Sequence, residues 1–328
     1  MKSLFRSISF IISIFCLSQC SFQSDELIEI PQSNPELAVY ADLSNDNGFS
    51  AYVVRKRVPN EPIEWDVNLN DSIVDIKTNK AVYTLYQSTI IAGRAVLFDY
   101  VKDAKVIILE DGKFLTELKP EFYPLPHYVN YDKKLIAGKK YQIEVTASKY
   151  PKVTGEQMAL SDILADNIEY RKNSYQSRDN GLLSELFIRF KDPLGENNSY
   201  LTIASLIKTN RKNGKIDFQK IPLYKTDPTS TTNNIISDRS FNGESYNWRL
   251  GANIEPYLVD TVGIDIQLEV NFFPINNDLE KYFRTLEFRD ANYDNPFTEP
   301  VTPYYNVKGG LGIFSTSGKS TSKSFIIK

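Results

Sequence analysis

The sequence predicts an all-β protein of two β-sandwich domains, the first immunoglobulin-like and the second carrying one packed amphipathic helix. Three observations lead there. The chain has 20 tyrosines and 19 phenylalanines against two tryptophans and two methionines, a balance suited to pleated, half-buried surfaces. Tyr141, Ile143, Val145 and Ala147 alternate with Gln142, Glu144 and Thr146. Ile264, Ile266, Leu268, Val270 and Phe272 alternate with Asp265, Gln267, Glu269 and Asn271 in the same way. A period of two marks strands with one face on a core. The segments between such runs carry turn residues rather than helical patterns.

Taken in order, residues 37–43, 51–58, 73–78, 81–90 and 95–101 are rich in Val, Ile, Tyr or Phe and read as strands. Residues 105–118 read as a hairpin closing on Asp111-Gly112, which supplies the positive φ angles of a tight turn. These, with 141–147, make the first sandwich, from 36 to 150. Tyr150-Pro151 and Thr154-Gly155-Glu156 break the pattern and mark the expected hinge to a second β-rich domain, 157–328. There Leu186, Ile188 and Phe190 alternate with Phe187 and Arg189 before a stop at Asp192-Pro193-Leu194-Gly195. Strands of the 264–272 quality are too few for a membrane barrel, which needs at least about eight. The helix is expected over 277–289, where Leu279, Tyr282, Phe283 and Leu286 form one stripe. Asn276 or Asn277 would cap it, and Asp278 and Glu280 lie in the first turn, where the helix dipole favours acids.

The N-terminus reads as a secretory signal over 1–19. Lys2 and Arg6 precede an apolar stretch, 8–17, far shorter than the roughly 20 residues a spanning helix needs. Leu17-Ser18-Gln19-Cys20 resembles the lipobox of bacterial lipoproteins, in which the cysteine becomes the lipidated first residue. Gln19 departs from the usual Gly or Ala. Residues 20–35 then read as a polar tether ending in Pro31-Gln32-Ser33-Asn34-Pro35. Gln23, Ser24, Asp25 and Glu26 resemble the acidic export signal that sends such lipoproteins to the cell surface, and they equally suit a solvated linker. The expected location is therefore the outer membrane, lipid-anchored and facing outward.

The formal net charge of −3 argues against a nucleic-acid partner, which would need a basic stripe. The two cysteines are Cys16, within the signal, and Cys20, so neither disulfides nor thiolate chemistry is expected in the body. One histidine, His127, makes multi-histidine zinc sites and a Ser-His-Asp triad poor readings, and its Pro-Leu-Pro-His setting suggests an exposed loop. Asp290, Asn292 and Asp294 alternate like the first ligands of a calcium loop. Asn295 stands where that loop needs glycine and Val301 where it needs glutamate, so a surface turn is expected. No nucleophile elbow, P-loop or zincin motif appears, and no enzyme, cofactor or metal is expected.

Residues 295–314 contain Asn295-Pro296-Phe297 and then Asn306-Val307-Lys308-Gly309-Gly310-Leu311-Gly312-Ile313-Phe314. This resembles the C-terminal signature of a family of Bacteroidota outer-membrane lipoproteins known only as a domain of unknown function. Asp192-Pro193-Leu194-Gly195 through Tyr200, and Ser237-Asp238-Arg239-Ser240-Phe241-Asn242-Gly243, also look like it. The resemblance implies company rather than chemistry, because members commonly accompany TonB-dependent receptors. It implies no catalytic residues. Physically, Gly309, Gly310 and Gly312 suggest a strand that bends sharply or lies against another backbone.

The expected function is a non-catalytic accessory or substrate-capture partner of a TonB-dependent receptor. The alternatives are a surface adhesion or structural module, or a carboxylate-based hydrolase. Candidate binding residues are Tyr304 and Tyr305, and Tyr123 and Tyr128 of the Phe122-Tyr123…His127-Tyr128 segment. Exposed, they would stack on a sugar ring or anchor a protein interface; otherwise they are core.

Overall fold

The computed structural model describes residues 36–55, 74–75, 80–81, 99–122, 126–178, 181–259, 262–292 and 301–327. The first half supplies β1 (Leu37–Ser44), β2 (Gly48–Arg55), β3 (Val74–Asp75), β4 (Lys80–Ala81), β5 (Asp99–Tyr100), β6 (Lys105–Glu110), β7 (Lys113–Glu117), β8 (Lys119–Glu121), β9 (His127–Asn130), β10 (Lys140–Thr146) and β11 (Val153–Met158). The second supplies β12 (Ala165–Ser177), β13 (Gly181–Lys191), β14 (Asn198–Asn210), β15 (Ile216–Ile221), β16 (Leu223–Lys225), β17 (Ile235–Ser237), β18 (Ser245–Ala252), β19 (Ile264–Asn276), helix α1 (Asn277–Asn292), β20 (Leu311–Ser317) and β21 (Thr321–Ile326). The fold is all-β, with α1 the one α-helix among the described residues.

An 11-stranded sheet runs β15-β14-β19-β20-β1-β2-β9-β8, with β17, β21 and β5 attached at its margins. Two four-stranded sheets, β11-β10-β6-β7 and β12-β13-β18-β16, complete the layers. One core lies between the first small sheet and the β1/β2/β9 part of the large one. Leu37, Val39, Ala41, Leu43, Phe49 and Val53 meet Val106, Ile108, Tyr141, Ile143 and Val153 there. A second core joins β14 and β19 to the other small sheet, with Tyr200, Leu206, Leu268 and Phe272 against Leu186, Ile188, Phe190 and Trp248. Each Val, Leu, Ile or Phe among them contributes roughly 1.5–3 kcal/mol on burial. Strand alternation turns Leu201, Ile203, Phe273, Ile275 and Ile313 to the opposite face, where Leu279, Tyr282 and Leu286 of α1 cover them. The helix starts where expected, Asn276 Oδ1 accepting the Leu279 N–H at 2.9 Å.

The hairpin of β6 and β7 closes on Asp111 and Gly112 at φ 47° and 76°, as the sequence suggests. The break at Thr154-Gly155-Glu156 is instead part of β11, which pairs with β10 from Val145↔Val153 to Lys140↔Met158. Glycine serves here because Phe314 packs over it: a Cβ at 155 would stand 3.0 Å from that of Phe314. His127 is buried in β9, not looped out, and its ring stacks on Tyr52 at 5.3 Å. All described residues belong to one compact unit, Pro35–Arg57 with Glu61–Lys328.

The glycine-rich signature lies against other backbones. β20 runs parallel to β1, Ala38↔Leu311 through Ser44↔Ser317. Gly312 has φ 109°, and a Cβ there would sit 2.1 Å from the Val39 carbonyl oxygen; at Gly310 it would sit 2.5 Å from that of Leu37. On the helix-side face of the same pair, Asp42 accepts from Ser315 Oγ at 2.8 Å and Ser317 Oγ at 2.9 Å. Burial raises the Asp42 carboxyl to about 6, against the pull of those two hydroxyls.

Two outcomes follow from this junction. Gly312→Ala is expected to lower stability by at least about 3 kcal/mol, combining backbone strain with a main-chain clash. Gly112→Ala, also at positive φ but with nothing within 4 Å, should cost far less; equal shifts in urea midpoint would refute the steric account. The folded state also holds the Asp42 proton more tightly than the unfolded chain, whose carboxyl has the ordinary value of 3.8. Stability should therefore fall as pH rises from about 4 to about 6, by up to about 3 kcal/mol, and stay level above. In Asp42→Asn that portion of the pH slope should vanish in urea titrations across the window.

Candidate functional site

The sequence-predicted residues scatter. Cys20, Gln23, Ser24, Asp25, Glu26 and Tyr123 lie outside the described residues, as do Asp294 and Asn295-Pro296-Phe297. Tyr128 is a core residue rather than a binding one: only 4% exposed, it donates through its hydroxyl to the Val101 carbonyl at 2.8 Å and accepts from the Ala104 N–H at 2.9 Å. Tyr304 is half-buried against the helix core, and its hydroxyl donates to Asp278 Oδ1 at 2.8 Å. Lys281 Nζ stands 5.1 Å from its ring centroid. Tyr305 is 50% exposed.

Asp278 gathers more than Tyr304. Its carboxylate accepts from Gln157 Nε2 at 2.7 Å, Asn306 Nδ2 at 3.1 Å and Lys281 Nζ at 3.2 Å. Asn306 also clamps Phe314 of β20, accepting its N–H at 2.8 Å and donating to its carbonyl at 2.9 Å. Partial burial pushes the Asp278 carboxyl up, but the four donors outweigh it and hold it below the usual range. The other two family-like stretches also meet. Asp192 accepts from the Tyr200 hydroxyl and, at 2.8 Å, from the Gly243 N–H. Asp238 accepts the Asn198 N–H at 2.7 Å, and burial raises its carboxyl. These motifs are clasps inside the fold.

A groove of about 550 Å³ lies on the outward face of the β12-β13-β18 sheet, lined by Asn167, Glu169, Arg171, Phe187, Arg189, Asp227, Asn247 and Arg249, among others. Alternation builds it: Ile168, Leu186, Ile188, Trp248 and Leu250 point into the second core, so their chain neighbours point out. Strand register then sets cross-strand rows, Asn167↔Arg189↔Asn247 and Glu169↔Phe187↔Arg249. Arg171 lies 4.2 Å over the Phe187 ring and 3.3 Å from Glu169 Oε2. Arg249 Nε is 3.6 Å from Glu185 Oε1. Asp227, at the rim, accepts from Tyr246 and Thr229 hydroxyls at 2.8 and 2.6 Å. Arg189 is exposed and has no ion-pair or hydrogen-bonding partner among the described residues. The groove thus offers amide donors and acceptors, carboxylate acceptors and one uncompensated guanidinium. Phe187 and Arg189 were visible in the sequence as an outward face; their neighbours were not, because register across strands is not written in any one strand. Among the described residues, no group of three or more His, Cys, Asp or Glu could hold a metal ion.

Layered sheets with one covering helix and a polar groove on an outer face define an all-β protein built around a single long sheet. The chain belongs to the DUF4249 family, a domain of unknown function whose model matches residues 25–323. No curated protein and no solved structure matches it.

Asp278→Asn, which keeps shape but removes charge, should lower stability at neutral pH by roughly 1.5–3 kcal/mol, the usual worth of a hydrogen bond to a charged group. Because the folded-state carboxyl is depressed, this contribution is present above the unfolded value and is lost as pH falls through the folded one. The variant should therefore show a shallower loss of stability on acidification; an acid limb as steep as the parent's would remove Asp278 from that role.

Proposed function

We propose that this protein is a non-catalytic outer-membrane lipoprotein, held by a lipid on Cys20 and facing the cell surface, which partners a TonB-dependent receptor and captures its substrate. The observation that carries the reading is the groove on the β12-β13-β18 sheet, where polar side chains from three strands line one open hollow on the side away from the second core. Such a surface suits reversible recognition. The Lys2/Arg6, apolar and Cys20 order supports the anchor, and Asp25-Glu26 supports outward export. One acyl chain holds a protein only marginally, so stable anchoring calls for two or more, each buried CH₂ contributing roughly 0.8 kcal/mol. The Asn306–Phe314 signature supports a place among Bacteroidota lipoproteins that travel with such receptors.

Affinity purification from solubilised outer membranes should recover a TonB-dependent receptor together with the full-length chain. Recovery without one would overturn the partnership and favour an adhesion module. Protease added to intact cells should cut the protein, and survival until permeabilisation would refute outward exposure. Cys20→Ala should release it from the membrane fraction and remove the lipid mass; an unshifted, membrane-bound variant would exclude lipidation at that residue.

A further inference from the structure

We propose that the groove takes an acidic sugar, a glycan whose ring hydroxyls and carboxylate are recognised together. The proposal rests on the capture reading above and adds the chemical class of what is captured.

Arg189 stands at the centre of the groove on β13, with Asn167 and Asn247 beside it on the flanking strands. Neighbouring strands lie about 4.8 Å apart, so the two carboxamides flank the guanidinium. That of Asn167 already donates to Glu169 Oε1 at 2.9 Å and accepts from Lys323 Nζ at 3.3 Å, which leaves Asn247 for a ligand. Arg171 and Arg249 are held by Glu169 and Glu185, which leaves Arg189 as the unpaired cation. A planar guanidinium fork matches a carboxylate with two parallel hydrogen bonds.

The remaining lining selects for hydroxyls. Asn247, also without a partner among the described residues, can both donate and accept. Asp227 and Glu169 are acceptors placed around the cation. A ligand that presented only anionic groups would meet those two carboxylates as repulsion, whereas sugar hydroxyls would donate to them. The Arg171–Phe187 stack supplies a flat wall one row further along, about 6.7 Å away by strand rise. A volume of about 550 Å³ falls within the range of small-ligand sites. β13, which carries Arg189, offers no edge to which an extended peptide could add as a strand, because it is paired on both sides along the groove.

Isothermal titration of the full-length lipidated protein in detergent micelles tests this. Acidic probes are oligogalacturonate, oligoalginate and sialyllactose. Maltotriose serves as the neutral sugar, and oligoglutamate and inorganic phosphate as anions without sugar hydroxyls. At least one acidic sugar should bind, with maltotriose, oligoglutamate and phosphate at least about tenfold weaker. Arg189→Gln should weaken that binding at least about tenfold, as expected for a hydrogen-bonded charge, with the urea midpoint unchanged because the side chain is exposed. Asn247→Asp, which places a carboxylate beside Arg189, should weaken it similarly. Binding by none of the acidic sugars, equal binding of oligoglutamate, or binding untouched by Arg189→Gln would overturn the proposal. Receptor recovery in the absence of ligand is read separately. A receptor retained without sugar binding removes only the ligand class, and sugar binding without a receptor removes only the partnership.

Discussion

The parallel contact between β1 and β20 is the constraint on which the rest of the fold depends. It joins residues 37–44 to residues 311–317 in the middle of the large sheet, so everything on either side of it is positioned by how closely those two backbones approach. The approach is possible only because Gly310 and Gly312 carry no Cβ where the Leu37 and Val39 carbonyls lie. Gly309 does the same beside the Lys152 carbonyl, at the point where Thr154 and Lys308 exchange main-chain hydrogen bonds. A motif of three glycines thus brings β20 against both β1 and β11, one strand from each of the two sheets that enclose the first core.

Polar groups then fix what the glycines permit. Asn306 uses its single carboxamide to hold Phe314 in place and to reach Asp278, which in turn accepts from Gln157 at the edge of the first small sheet. The helix start, the last long loop and the first sandwich are therefore fastened at one carboxylate. Asp42 does the opposite work energetically: two serine hydroxyls satisfy it, yet burial still disfavours its charge. One carboxylate at this seam is stabilised by its surroundings and another is tolerated by them, and the difference lies in the deeper burial of Asp42 and in four donors against two.

Much of the fold was legible locally. Strict alternation marked β10, β13 and β19, Asp111-Gly112 marked a hairpin, and the Leu279–Leu286 stripe marked the helix and the face it buries. Where the sequence misled, a tertiary neighbour was responsible. Gly155 looks like a breaker until Phe314 is seen packed on it, and His127 looks looped until Tyr52 is seen beneath it. β14 did not show alternation because both its faces are buried, one in the second core and one under α1, so it reads as a mixed apolar run. The groove was hidden for a related reason. Asn167, Arg189 and Asn247 are ordinary outward residues in three separate strands, and only pairing places them side by side.

The position of β1 also carries a consequence for biogenesis. It is the first described strand of the chain, yet it occupies an interior place in the sheet, with a partner on one side that lies some 274 residues further along. As the polypeptide emerges, β1 can form a hairpin with β2, but its other edge stays open until the last strands have been made. Contacts of such long sequence separation form slowly and late. A nascent chain short of residue 311 therefore remains incompletely folded, with a hydrogen-bonding edge exposed to other chains. A product truncated before β20 cannot close its central seam, and stays open to proteases and chaperones.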